Sequence, residues 1–393
     1  MTADRAPADL AACLDFAQRL IHTEGLPGNE GATAELMRDE MEQLGYADVQ
    51  IDAVGNTLGR IRGGDGSAVM FNTHLDHVDV GDHDRWPHPP FGAELHDGCI
   101  WGRGAVDIKG PLAAQVYGVA RLLNDAAPPA GDVWVTAVVQ EEIGGVGARY
   151  LATQMQPPVV VVGEPSSNQL RRGHRGRSLL TVHITGRSVH ASVPQKGVNP
   201  YDVLAQVITR LPELDMATQE DLGTSSVAPT LIRTDQTSSN VIPGEIWLDL
   251  DWRHVPGESG DQAREKLQQL LDDCLVDGAT ATAILPTEHL TSWTGFETDM
   301  QGNNPAYVLA EDHSALRIAR TALEPIIGVT ETVGMWDFAT DGGHFAAAGL
   351  ACIGFGPGDE FLAHTVNEHV SIEQIATALD GNAALARALS GIM

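Results

Sequence analysis

The chain has 393 residues, 43% of them hydrophobic, which is enough apolar material for two domains. Its formal charge of −29 weighs against nucleic acid and anionic membrane surfaces as partners, because such a surface repels phosphate. Four cysteines, Cys13, Cys99, Cys274 and Cys352, stand far apart without a Cys-x-x-Cys pair, which argues against a disulfide framework and a thiolate zinc site.

The opening stretch MTADRAPADLAACLDFAQRL lacks a basic start followed by an unbroken apolar core, and no apolar run approaches membrane-spanning length, so a cytoplasmic location is expected. Helical patterns follow at 10–22 and 30–44, then a strand at 68–72, a helix at 108–123, a strand at 133–139 and the run PVVVVGE ending at Glu164. Short Val-rich runs suit strands covered on both faces, and their alternation with helices marks an α/β layer architecture. The middle of the chain reads differently: strand 178–185, helix 201–211, strands 227–233 and 245–252, helix 261–275 and strand 279–285. That βαββαβ order is the ferredoxin-like unit. The first pattern resumes near residue 293, with a helix at 314–323, a strand in LACIGFG and a closing helix at 371–389. The expected organisation is a discontinuous α/β domain, 1–175 and 293–393, interrupted by an α+β domain, 176–292.

Four segments put His, Asp or Glu at or beyond the end of an apolar strand, where α/β sheets gather their sites. In MFNTHLDHVDVGD, His74 and Asp76 share a face if the strand continues, and a carboxylate beside a metal-binding histidine fixes its tautomer. A solvated strand end reads the same way. IWGRGAVDIKG has the Gly102-x-Gly104 of a phosphate loop, but Asp107 replaces the third glycine of a dinucleotide fingerprint, which counts against a dehydrogenase. Asp107 also suits the first turn of the helix that follows. VTAVVQEEIGGVG sets Glu141 beside Glu142 at a strand end, so one of them heads inward and needs a cation or hydrogen bonds. VVVVGEPSS ends its valine run at Glu164. Near the carboxyl end, GPGDEFLAHTVNEHVSIEQI offers His364, Glu368 and His369, and periodicity leaves open which histidine returns to a site. Carboxylates with one or two histidines and no thiolates suit zinc, cobalt or manganese. One glutamate must then stay off the metal to take a proton from water, a task for one member of an adjacent pair.

Taken together, these motifs resemble the co-catalytic zinc metallohydrolase family that includes acetylornithine deacetylase, succinyl-diaminopimelate desuccinylase and carboxypeptidase G. THLDHV, GRGAVDIKG, EEIGG, GEP, SVHAS, SSNVIPGE, DWRHVPGE and HTVNEHV come in family order across nearly the whole chain, with 33 residues from His74 to Asp107 and 34 from Asp107 to Glu141. The resemblance implies a zinc-peptidase-like catalytic domain, with a mixed, mainly parallel sheet and helices on both faces, and an inserted lid and dimerisation domain. It implies two divalent ions, zinc with cobalt or manganese as alternatives. His74 and Glu164 would bind the first, Glu142 and His364 the second, and Asp107 would bridge them. Glu141 would be the general base that activates the bridging water and passes its proton to the leaving amine, and Asp76 would orient His74. A cis bond from Asp107 to Ile108 is implied as well.

By the same resemblance His190 would stabilise the oxyanion, reaching across a homodimer, while Asn240 and Arg253 would hold a carbonyl or carboxylate. Gly342 and Gly343 fall where the family has a substrate loop, although its usual Ser or Thr and Arg pattern is not clear in ATDGGHFAAAG. The implied activity is hydrolysis of the amide of an N-acyl amino acid or small peptide-like molecule with a free carboxylate. By the same resemblance, the glutamate at 164 leans toward deacylases or carboxypeptidase-like enzymes over aminopeptidases and aminoacylases, and a deacetylase-like activity is preferred. A metallo-carboxypeptidase or dipeptidase and a carbamoyl or ureido amidohydrolase are alternatives on the same scaffold, and a metal-stabilised binding protein is the non-enzymatic one. If Glu142 holds a metal while Glu141 faces the water, the strand must end or bulge between them.

Overall fold

The computed structural model describes residues 8–329 and 333–392. Among them, nine strands form one mixed sheet whose centre is the set of valine-rich runs. The inner strands Gly131–Val138, Gly66–His74, Val159–Val162 and Ala351–Gly354 lie side by side and parallel. Thr57–Ile61 and then Ala47–Ile51 extend one flank antiparallel, while Arg171–His174 and Tyr307–Val308 extend the other.

Strand alternation explains why helices cover both faces. Val69, Phe71, Val159 and Val161 join a core with Phe16, Met37, Leu112 and Leu379. Their neighbours Met70, Val160 and Val162 join a second core with Leu151, Trp336 and Phe345. The helix Gly110–Ala120 is buried throughout because it lies between the sheet and the long helix Ile372–Leu389.

The middle of the chain builds an antiparallel sheet in the order Ser226–Thr234, Glu245–His254, Gly176–Thr185, Thr280–Ile284. Every second residue of Glu245–His254 is buried, so Ile246, Leu248, Leu250 and Trp252 meet Val203, Leu204, Leu267 and Leu271 of the two covering helices. A capping box between Ser259 and Gln262 starts the second of these, Gly260–Asp273. The fold class is the one expected: a mixed α/β domain carrying an inserted ferredoxin-like unit.

Two features escape the periodicity. The hairpin Thr287–Thr291 and Glu297–Gln301 is mostly polar and exposed, yet Leu290, Trp293, Phe296 and Met300 anchor it on the large core. The three-stranded sheet of Glu94–His96, Cys99–Trp101 and His369–Ser371 has strands too short to show a pattern. Among the described residues, no helix is long and apolar enough to cross a membrane.

Candidate metal centre

The carboxyl ends of the four parallel strands converge on one site, as expected for an open α/β sheet. Gly66–His74 delivers His74 at its last position. The neighbouring strand stops at Val138, and Gln140 takes the left-handed φ of 56°, so Glu141 and Glu142 lie in a turn outside the ladder. Carboxylates hold that turn. Glu30 Oε1 accepts the Gln140 N–H at 3.1 Å, while Asp76 accepts the N–H of Glu141 on Oδ1 and that of Glu142 on Oδ2, each at 3.1 Å. The strand therefore ends before Glu141 and Glu142, as expected if the two side chains are to serve one site.

Asp107 sits in a wide turn between Gly104 and the helix Gly110–Ala120, and its bond to Ile108 is cis. Glu368 Oε1 accepts the N–H groups of Val106 and Asp107, both at 3.2 Å, and its other oxygen accepts from Arg103. Both partners of this ion pair are almost fully buried. Breaking such a pair on one side costs about 3–5 kcal/mol because a buried charge is left alone. Glu368→Ala is therefore expected to lower the denaturation midpoint sharply and Glu368→Gln less so. An unaltered midpoint in the alanine variant would remove the pair from this role.

Asp107 stands between two histidines. Its Oδ1 is 3.0 Å from His74 Nε2 and its Oδ2 is 3.1 Å from His364 Nε2. Glu164 Oε1 lies 3.6 Å from His74 Nε2, and Glu142 Oε2 lies 3.1 Å from His364 Nε2. Ligand atoms on a tetrahedral zinc with bonds of about 2.0–2.1 Å are roughly 3.3 Å apart. His74, Asp107 and Glu142 each place a ligand atom within 4.8 Å of the other two, and Glu164 and His364 adjoin that group through His74 and Asp107. His74 Nδ1 meets the Asp76 backbone oxygen at 3.1 Å, which leaves Nε2 to face the centre.

The electrostatics call for cations. Burial pushes Glu141 and Glu164 well above the usual carboxylate range, reinforced by Asp341 near the first and by Asp107 and Asp341 near the second. Burial and Asp107 push Glu142 the same way. Burial also opposes the charge on Asp107, but hydrogen bonds from His364 and His74 outweigh it and hold that carboxyl low. The same bonds, to Asp107 and Glu142, lift His364 to about 10. A crowd of buried acids facing two imidazoles is costly until positive charge neutralises it. The donor set fits two divalent ions.

Glu141, Glu142, Asp107, Glu164 and His364 line a cavity of about 430 Å³ together with Arg177, Arg253 and Asn304. The two arginines face each other in register on neighbouring strands and share Asp251, at 2.8 Å for Arg177 Nε and 2.6 Å for Arg253 Nε. Arg177 and Asn304 carry no local motif, and only the strand register brings them here.

His190 and Asn240 do not line this cavity. They lie on an exposed ribbon, where the Ala191 N–H donates to the Asn240 backbone oxygen at 2.9 Å and His190 Nδ1 meets Ser192 Oγ at 2.8 Å. Gly342 and Gly343 are buried behind it, and a Cβ on Gly343 would meet the Pro305 oxygen at 2.1 Å, so Phe338 and Ala339 form the wall instead. Of the carboxyl-terminal trio, His364 reaches the centre, Glu368 fixes the Asp107 turn, and His369 stacks on Trp101 at 4.2 Å.

Residues 70–388 match the family model described as Peptidase family M20/M25/M40. The chain is 30% identical to the uncharacterised protein YgeY of Escherichia coli over 346 residues, covering 86% of this chain and 85% of that one. It is 32% identical to the succinyl-diaminopimelate desuccinylase of Maricaulis maris over 271 residues, or 64% and 68% of the two chains. The fold superposes on the M20 family metallo-carboxypeptidase Sso-CP2 of Sulfolobus solfataricus with a TM-score of 0.77 at 16% identity, covering 98% of this chain and 99% of that one.

Proposed function

Because this chain belongs to peptidase family M20/M25/M40 and is a metal-dependent hydrolase of amide bonds, we propose that it acts on an N-acyl amino acid or short peptide with a free carboxylate. A deacetylase-like preference is our reading, with dipeptides as the second class. The observation that carries it is the pair Arg177 and Arg253 on the wall of the cavity that also holds Glu141. A guanidinium binds a carboxylate bidentately, so these residues can fix one end of a small substrate while the amide lies against the acidic cluster.

His74, Asp107 and Glu164 would hold one divalent ion and Glu142, Asp107 and His364 the other, zinc in our reading with cobalt or manganese as alternatives. Such ions supply the charge that polarises an amide carbonyl and acidifies water. The chain's own residues do the rest. Asp76 keeps the Nε2 of His74 on the centre and ties down the amides of Glu141 and Glu142. Glu141 Oε takes a proton from water and returns it to the leaving nitrogen. His190 and Asn240, exposed on their ribbon, serve the active site of a second copy in a homodimer formed through the inserted domain. Four free cysteines suit a cytoplasmic location.

Arg253→Ala is expected to raise KM for substrates with a free carboxylate by about tenfold or more, the loss of one charged hydrogen bond of ~1.5–3 kcal/mol. The matching carboxamide substrates should respond little, and an equal loss on both would remove Arg253 from this role. Specificity itself is tested by a hydrolysis screen with zinc, cobalt and manganese against N-acetyl, N-succinyl and N-formyl amino acids and dipeptides. Ammonia release would favour a ureido or carbamoyl substrate, and a metal-loaded chain inert to the whole panel would favour a binding protein.

A further inference from the structure

A second convergence of metal-ligating side chains lies away from the acidic centre. Glu94 and His96 are two residues apart on the strand Glu94–His96 and so share a face, and His88 arrives from the loop before it. His88 Nδ1 is 3.0 Å and His96 Nε2 is 2.9 Å from the same oxygen, Glu94 Oε2. The two imidazoles stack at 4.0 Å between centroids with 23° between their planes. Trp101, the register partner of Glu94, packs on His88 at 4.8 Å and stacks on His369 at 4.2 Å.

We propose that His88, Glu94 and His96 form a third metal site, separate from the cluster around Asp107, which takes a borderline divalent ion such as Zn²⁺ or Ni²⁺. Two neutral imidazoles and one carboxylate are the donors such ions prefer, and a hard ion such as Mg²⁺ or Ca²⁺ would want more oxygens. All three ligand atoms lie within 4.8 Å of one another. The nitrogen-to-oxygen separations need to open by only a few tenths of an ångström to reach the roughly 3.3 Å between ligands of a tetrahedral zinc. The ring stack holds both histidines beside Glu94, and binding also requires the two rings to rotate out of their near-parallel arrangement until both nitrogens aim at one ion. The three side chains are 23%, 41% and 46% exposed, which gives an ion direct entry and leaves a coordination position to water.

The test uses the zinc-loaded enzyme. Equilibrium dialysis against micromolar Zn²⁺, followed by metal analysis, is expected to give one more ion per chain for the parent than for a His88→Ala/His96→Ala double variant. Hydrolytic activity should be equal in the two, because none of these residues lines the catalytic cavity. Ni²⁺ titration should quench tryptophan fluorescence through Trp101, at a concentration at least tenfold higher in Glu94→Gln than in the parent. The isosteric glutamine keeps the experiment decisive if the double variant fails to fold. Equal ion counts in parent and double variant, or equal Ni²⁺ midpoints in parent and Glu94→Gln, would overturn the site. Because the comparison is a difference of one ion, its outcome does not depend on how many ions the Asp107 cluster holds.

Discussion

Glu141→Gln is expected to lower kcat by about 10²–10⁴-fold, the range that a positioned general base contributes, while the metal content per chain stays unchanged. The glutamine keeps the volume of the side chain and the N–H that Asp76 accepts at 3.1 Å. It loses only the capacity to accept a proton. Among the described residues, no ion pair or hydrogen bond ties up the Glu141 carboxylate, whereas Glu142 is engaged with His364 at 3.1 Å. The paired control is therefore Glu142→Gln, which should lose metal and turnover together. Parallel kinetics and metal analysis decide the matter, and retained turnover in Glu141→Gln would end its assignment as the base.

The second large effect concerns the metals and the stability of the fold. A ligand that binds only the folded chain stabilises it by about 4.1 kcal/mol when present at 1,000 times its Kd. Two ions sharing Asp107 should therefore raise the melting midpoint by a wide margin, reversed by chelation and restored by zinc. Asp107→Ala removes the one carboxylate that stands 3.0 and 3.1 Å from both histidines. In a His88→Ala/His96→Ala background, which removes the third site, that variant should melt at the same temperature with or without chelator and should be inactive. A midpoint that still responds to chelator in this triple variant would mean that the two groups of ligands do not depend on a common bridge.

Part of the candidate centre was legible in the sequence because it sits at strand ends, whereas Asp107 and His364 were singled out only by the family resemblance. A valine-rich parallel strand leaves a strong local signal, and a polar residue directly after it stands out, as His74, Glu141 and Glu164 do. The residues that respond to distant parts of the chain were not legible. Arg177 enters the cavity only through its register with Arg253 across two strands. Glu30 and Glu368 are buried acids whose partners are backbone amides 110 and 261 residues away, at Gln140 and Asp107. The hairpin after Thr287 was missed because its strands face water on both sides, and only four apolar anchors bind it to the core. Gly342 and Gly343 matched a substrate loop in order along the chain, but close packing against Pro305 and Tyr307 accounts for them in space.

Asp76 joins three of the functions discussed above in a single buried side chain and its carbonyl. The carbonyl meets His74 Nδ1, Oδ2 accepts the Glu142 N–H, and Oδ1 accepts the Glu141 N–H. A change at Asp76 therefore reaches the His74 ring, the Glu142 amide and the Glu141 amide together, and none of the three can shift against the others while that carboxylate and carbonyl hold them.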